Sequence, residues 1–375
     1  MHIWLSWLDG ISCSGRYYRQ VLLKVAVLND THCGIRNSSE IFLENARVFY
    51  SEVFFPYCKE NGIEQIIHLG DYYDHRKFVN FKALNHNRQH FLNPLRENGM
   101  KMDIIPGNHD TYYKNTNDLN SLKECLGHFM NEIHIIMEPR VMEYGSLKIA
   151  MLPWINPENY DDSMKFIADC KADWLGSHLE LNGFEVMRGM TSKHGMDPKL
   201  FSRFELVLSG HYHCSSRRDN IWYLGSQMEF FWSDAHDPKY FHVIDTETRQ
   251  IEKVRNNNTL FEKIVYNDDK MDYNNYNISN LDGKLVKVVV VNKADTFTFD
   301  RFIDRLQSQD IYELKIAENF QEFSGESIED DKINFDDTQE IVDSYIDAVD
   351  TDLDKNKIKI QVRELMTEAQ TLEFA

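Results

Sequence analysis

Residues 101–110 read KMDIIPGNHD: a short apolar run, a Pro-Gly break, then Asn108, His109 and Asp110 in succession. The same design recurs outward from it. VLLKVAVL (21–28) runs into Asn29-Asp30-Thr31-His32, EQIIHL (64–69) into Gly70-Asp71, and a strand-like Phe204–Leu208 into Gly210-His211-Tyr212-His213. Each is a run of strand length that ends on turn chemistry and delivers metal-ligand side chains there. Ligands of open α/β sheets gather at the carboxyl ends of the strands, and glycine beside a ligand lets the backbone turn sharply and a metal approach closely. A DxH triplet arises by chance roughly once in a chain of this length, a GHxH in roughly one chain of twenty, and a GNHD in roughly one of several hundred. Their joint, ordered occurrence after strands is the informative fact.

The rest of the body alternates strand and helix signals. Phe42, Ala46, Phe49 and Val53 share a helical face; Pro56 is expected to kink or end that helix and Gly62 to close the segment. A second helical segment spans roughly 78–97, with Phe78, Phe81 and Phe91 forming a stripe that suits helix core or a dimer face. Further strands fit Ile133–Met137, Leu147–Pro153 and 221–226, and 240–254 reads as a hairpin turning at Thr246–Thr248. The class is α/β with a buried sheet. Residues 283–317 repeat strand, amphipathic helix and strand in miniature, which suggests a small separate αβ domain.

The chain has 375 residues, 42% hydrophobic and 27% charged, enough for a sizeable core and too apolar for wholesale disorder. Its net charge of −19 argues against nucleic-acid binding through a diffuse basic surface. The charge is uneven: residues 318–375 hold 17 acidic and five basic residues, leaving 43 and 36 in the rest. Within the tail, Ile341, Val342, Tyr345, Ile346 and Val349 fall on one helical face, with a second apolar set at Ile358, Ile360, Val362, Leu365 and Met366. Six cysteines without CxxC spacing give no zinc ribbon or disulfide framework, and a reducing interior is the default. No apolar run is long enough to span a membrane, and the first twenty residues lack the layout of a signal peptide.

The ordered set Asp30-x-His32, Gly70-Asp71, Gly107-Asn108-His109-Asp110, a lone His178 and Gly210-His211-x-His213 resembles the calcineurin-like metallophosphoesterase superfamily. Within it, GDYYDHRK, GNHDTYYKN, LPWINPEN, HLELNGF, MTSKHG, SGHYH and DTET resemble the SbcD-type DNA repair nucleases, and their bacteriophage branch above all. The resemblance covers roughly 23–375 and is weakest over 266–340. It implies a metallophosphoesterase-type β-sandwich flanked by helices, with a small αβ capping domain and a helical C-terminal tail. The implied boundaries are an N-terminal extension 1–22, a nuclease domain 23–265, a DNA-capping domain 266–322, and an acidic tail 323–375 that docks on an SMC-like coiled-coil ATPase. Residues 1–20 precede the first family strand, and their deletion is expected to leave activity intact.

On that resemblance Asp30, His32 and His213 hold one metal, Asn108, His178 and His211 the other, and Asp71 bridges them. Imidazole and oxygen ligands without thiolate suit Mn²⁺, with Fe or Zn as other fits. His109 is the expected catalytic acid, with Asp110 orienting its ring or serving as a turn residue. Arg76, Lys77, Lys114, Lys193, Arg217 and Arg218 are candidate contacts to DNA phosphates. His75 stands where the superfamily's protein phosphatases carry arginine, Asp74 where some nuclease relatives carry an accessory histidine, Ser177 where glycine is common, and Gln227 where proline is usual.

The implied function is a metal-dependent nuclease subunit with 3′→5′ exonuclease and single-strand endonuclease activity. It would be a homodimer in the cytoplasm, that of the host cell if the chain is viral, acting on DNA in double-strand-break processing with the ATPase. The competing readings are a phosphoesterase for small nucleotides or phosphoproteins and a non-catalytic DNA-end scaffold. Two divalent ions would also turn the local field positive, since Asp30 and Asp71 bring only two negative charges to the site.

Overall fold

In the computed structural model the described residues are 24–187, 190–318, 346, 355–359 and 361–362. The expectations for residues 1–20 and for the amphipathic tail fall outside them, but for the few tail positions named.

Two six-stranded sheets form the body. One runs, edge to edge, Ile251–Asn256, Lys239–Asp245, Lys24–Leu28, Gln65–His68, Lys101–Ile104 and Ile133–Ile135; the other runs Ser216–Arg218, Ile221–Tyr223, Leu206–Gly210, Trp174–His178, Leu147–Leu152 and Arg140–Tyr144. In each, four neighbouring strands are parallel; the two antiparallel pairings lie together at one edge of the first sheet and one at each edge of the second. Strand alternation sorts the side chains into layers. Val25, Val27, Ile67 and Leu69 point between the sheets, onto Ile149, Met151, Trp174 and Leu208. Their neighbours Ala26, Leu28 and Ile66 point outward, onto Phe42, Phe49, Phe54 and Phe91 of the covering helices. The second sheet buries Ala150, Leu175 and Val207 against Ile167, Phe201 and Phe204 on its own outer side. Both sheets are thus covered on both faces, which is why their parallel strands read as unbroken apolar runs. This is the flanked sandwich the sequence implies.

The first long helix does not stop at Pro56. It runs Glu40–Val48, widens to a π segment over Phe49–Phe54, and continues Phe55–Glu60. The second does the same: Phe81–Asn87, a π segment over Arg88–Leu92, then Asn93–Glu97 containing Pro94. A proline lacks its N–H and crowds the carbonyl four residues back, and a wider π turn just before it relieves that crowding. The helix begins only at Phe81, so Phe78 lies on the loop before it and the three phenylalanines do not form one helical face. Phe91 is fully buried against Tyr50 and Phe55, whereas Phe78 and Phe81 are exposed. Phe91 is therefore core.

Phe261–Asn267, Leu285–Asn292 and Glu313–Ala317 form a third, all-parallel sheet, covered by the helix Thr296–Gln307 through Phe299, Phe302, Ile303 and Leu306. This small unit takes in a strand that starts before residue 266; FEKIVYN joins it by pairing with Leu285–Asn292, with no Gly or Pro to mark the junction.

Candidate metal centre

The carboxyl ends of the parallel strands of both sheets meet at one edge of the sandwich. Lys24–Leu28 delivers Asp30 and His32, Gln65–His68 delivers Asp71, and Lys101–Ile104 delivers Asn108 and His109. From the other sheet, Trp174–His178 ends on His178, and Leu206–Gly210 leads to His211 and His213. Trp174–His178 is the one ligand-bearing strand that the sequence pattern does not announce. Its WLGSH carries Gly and Ser at positions a strand disfavours, and the space explains Gly176: a Cβ there would crowd Leu69 at 3.1 Å.

The backbone is strained where it serves the site. Asp30, His32, Asp71 and His211 all have left-handed φ, at 47°, 41°, 56° and 93°. Non-glycine residues adopt this only where surroundings over-determine it, commonly at functional sites. Two strand-end loops also pass within backbone contact: a Cβ on Gly107 would fall on Asp71 Oδ1, and one on Gly70 would lie 2.7 Å from Gly107 Cα.

The side chains converge in two groups. In one, His32 Nε2 lies 3.0 Å from His213 Nε2 and 4.0 Å from Asp30 Oδ1, and His213 Nε2 lies 3.9 Å from the same oxygen. In the other, Asn108 Oδ1 is 3.0 Å from both His178 Nε2 and His211 Nδ1, and His178 Nε2 is 3.1 Å from Asp71 Oδ2. Asp71 Oδ2 also lies 3.9 Å from His32 Nε2, joining the groups. Ligand atoms held about 2.1 Å from one ion stand about 3–4 Å apart. The observed separations fall in that range, so the seven residues fit two divalent ions with Asp71 between them. Asp30, His32, Asp71 and His178 are buried, while His109, His211 and His213 are partly exposed, so the centre has a closed floor and an open rim.

Neighbouring groups fix the rings. His178 Nδ1 lies 2.8 Å from the Leu69 carbonyl, which can only accept, so Nδ1 carries the proton and Nε2 is the atom left to face an ion. Asn29 Nδ2 and the His211 amide both donate to Asp30. Lys239, buried between Asp234 and Asp237, donates to the carbonyl of His213 at 3.1 Å. His109 is held the same way as His178: its Nδ1 donates to the Asp74 carbonyl at 2.5 Å, and its own N–H donates to Asp71 Oδ1 at 2.8 Å. That leaves His109 Nε2 as the atom able to exchange a proton.

Asp74 is the residue sequence reasoning undervalued. Its carbonyl holds His109, and its carboxylate lies 3.3 Å from His32 Nδ1. Only the tertiary approach of the two loops reveals this. Asp110, conversely, does not touch the His109 ring. Its buried carboxylate accepts from the amides of Gly107 at 2.9 Å, Tyr72 at 3.0 Å and Tyr73 at 3.1 Å, clamping two strand-end loops together. It is a turn-organising residue that sets the site from behind.

The electrostatics show how much charge the site has to balance. Burial alone would depress His32 and His178, yet the surrounding carboxylates, Asp74 and Asp71 for the first and Asp71 for the second, lift both to about 9. Burial tends to raise Asp71, but His178, His109 and His32 hold it well below the usual carboxylate range. Burial and the positive field of His178 push His211 down to about 3, and burial and His32 keep His213 low as well.

The candidate DNA contacts separate. Arg76 donates to the Thr111 carbonyl at 3.1 Å and serves the loop. Arg218 donates to the Gly183 carbonyl and lies over Phe184, and Arg217 lies over Trp222. Lys77, Lys114 and Lys193 are exposed. Ser177 donates to the Leu152 carbonyl inside the core, and Gln227 to the Asp30 carbonyl at 3.4 Å, so neither departure disturbs a ligand.

The family model for calcineurin-like phosphoesterases matches residues 23–215. Exonuclease subunit 1 of Enterobacteria phage T4 is 29% identical over 350 residues, covering 92% of this chain and 99% of that protein. Among solved structures, a novel archaeal phosphodiesterase is 16% identical with a TM-score of 0.31, covering 62% of this chain and all of the other, too distant a likeness to carry an argument. With the family match spanning every strand that delivers a side chain to the site, this chain belongs to the calcineurin-like phosphoesterase family.

Proposed function

We propose that this chain is the metal-dependent DNA nuclease subunit of a phage-type recombination and repair complex. The observation that carries the reading is the convergence of seven ligand-type side chains with His109 at the open rim of one site. The near full-length likeness to an exonuclease subunit supports DNA as substrate. When bound, two divalent ions, Mn²⁺ on this donor set, would polarise the phosphoryl oxygens and lower the pKa of an attacking water. The chain's own residues do the rest. Asp71, between the two groups, keeps both in one register, and the Leu69 carbonyl fixes the His178 tautomer. Asp74 holds His109 with Nδ1 protonated, so Nε2 can pass a proton to the departing 3′ or 5′ oxygen.

The roles of 3′→5′ exonuclease and single-strand endonuclease, homodimerisation, a capping role for the small αβ unit, and docking of residues 323–375 on an SMC-like ATPase belong to this proposal. So does a place in the cytoplasm; among the described residues no helix is long and apolar enough to cross a membrane. The discriminating experiment is hydrolysis of linear duplex and single-stranded DNA with Mn²⁺, beside His109→Ala. Loss of a general acid lowers turnover by about 10²–10⁴. DNA cleavage that persists in the variant, or hydrolysis of small phosphodiesters with no action on DNA, would overturn the reading. Removal of residues 335–375 should abolish co-purification with the ATPase while leaving Mn²⁺-dependent hydrolysis intact; unchanged co-purification would remove the docking role.

A further inference from the structure

A cleft opens beside the metal centre, between the loop after Gln65–His68 and the turn after His32. One wall is Asp74, His75 and Phe78; the facing wall includes Asn37 and Ser38, with Asn80 at the base of the next helix. The rings of His75 and Phe78 are stacked, with centroids 3.7 Å apart and planes at 28°. Phe78 is nonetheless 46% exposed, so the stacked pair leaves nearly half of the phenyl ring open to solvent. The facing wall is strained: Arg36, Asn37 and Ser38 follow one another at φ 54°, 55° and 60°. Three successive non-glycine residues in the left-handed region are rare outside sites where the surroundings demand it. Asp74 belongs both to this cleft and to the centre, because it holds His109 and lies against His32.

We infer that this cleft is a nucleobase subsite: it takes one unpaired base of the strand whose phosphodiester lies at the metal centre, stacked on the His75–Phe78 pair. The inference rests on the phosphodiesterase reading and sharpens its substrate class. Any base offers a π face to such a platform, so the contact is sequence-tolerant. Asn37, Ser38 and Asn80 offer amide and hydroxyl groups to the base edge; Asn80 already caps its helix through Oδ1 on the Lys82 amide, so what it can offer is Nδ2. A base inside a duplex is covered on both faces by its neighbours, so the strand must be single-stranded or frayed at this nucleotide. The subsite therefore selects unpaired ends and loops over continuous duplex.

The test uses the full chain without added metal, so that nothing turns over, and single-stranded oligonucleotides carrying 2-aminopurine, whose emission falls on stacking. Wild type should quench the probe on binding. Phe78→Ala should abolish the quench and weaken binding by about tenfold, the low-to-middle range for one stacked base, and Phe78→Trp should restore both. The substitution lies on an exposed ring, and unchanged circular dichroism shows that the fold is kept. Absence of quenching by wild type, or equal quenching by Phe78→Ala, overturns the inference. So does a change of oligomeric state in Phe78→Ala with the quench intact, which would assign the ring to a protein interface. Hydrolysis of bis(p-nitrophenyl) phosphate by wild type with Mn²⁺ is measured separately. Hydrolysis without a Phe78-dependent quench sinks the subsite alone, whereas a Phe78-dependent quench without hydrolysis upholds base stacking and sinks the phosphodiesterase reading.

Discussion

Asp110→Ala should destabilise the fold far more than an ordinary polar truncation. The carboxylate is fully buried and accepts from three backbone amides on two loops, those of Gly107, Tyr72 and Tyr73, with Ser121 Oγ at 3.4 Å as a fourth neighbour. Alanine leaves three buried donors without an acceptor, each costing about 1–3 kcal/mol. Part of that is offset, because burial, with Asp71 nearby, pushes the Asp110 pKa up to about 6 and the ionised group carries a desolvation cost in the native state. The lower end of the sum, about 3 kcal/mol, is the expected loss, a large share of a typical domain's stability. Asp110→Asn keeps an oxygen for some of the donors and should lose about half as much. Urea unfolding of the metal-free chain, followed by tryptophan fluorescence, reads this as a shift in midpoint. If Asp110→Ala unfolds within about 1 kcal/mol of wild type while turnover collapses, the clamp is not what Asp110 provides and a direct chemical role must be restored.

Other expectations follow from single contacts. Gly107→Ala places a Cβ onto both the carboxylate and the backbone nitrogen of Asp71, so the loop that carries Asp71 must move; the variant should unfold at lower urea, and what folds should bind Mn²⁺ at least tenfold more weakly by calorimetry. Lys239→Met strands the buried carboxylate of Asp234, with the half-buried Asp237 beside it, and should cost about 3 kcal/mol in the same unfolding assay. Glu229 is buried, with its Oε2 on the amides of Leu260 and Phe261, and burial raises its pKa to about 7. Its folded-state pKa lies above the unfolded value of 4.5, so its contribution is fully present below about 4.5 and is lost as pH rises through about 7. Glu229→Gln should flatten that part of the stability–pH profile, and an unchanged slope would remove Glu229 as its source.

Much of the site was legible because its chemistry is tied to local turns. Asp30, His32, Asp71, Asn108, His211 and His213 each follow an apolar run directly, so sequence alone places them at strand ends. His178 was legible only through family resemblance, since WLGSH has the composition of a turn and becomes a strand by tight packing under Leu69. The role of Asp74 depends on two loops meeting, and that of Asp110 on amides 37 and 38 residues away, which no local pattern encodes. Phe91 is helix core, one of the two readings its stripe allowed, whereas Phe78 was grouped with it because nothing local shows that the helix begins only at Phe81. The left-handed turn at 36–38 carries no glycine at its strained positions, so its cleft was invisible in the sequence.

The central claim is that one site holds two ions sharing Asp71. Mn²⁺ titration of the full chain, read by calorimetry for stoichiometry and by electron paramagnetic resonance for coupling, addresses it directly. The account predicts two ions per chain with an exchange-coupled spectrum, and loss of the coupling in Asp71→Ala. A single uncoupled ion in the wild-type chain, or coupling that survives in Asp71→Ala, would contradict it.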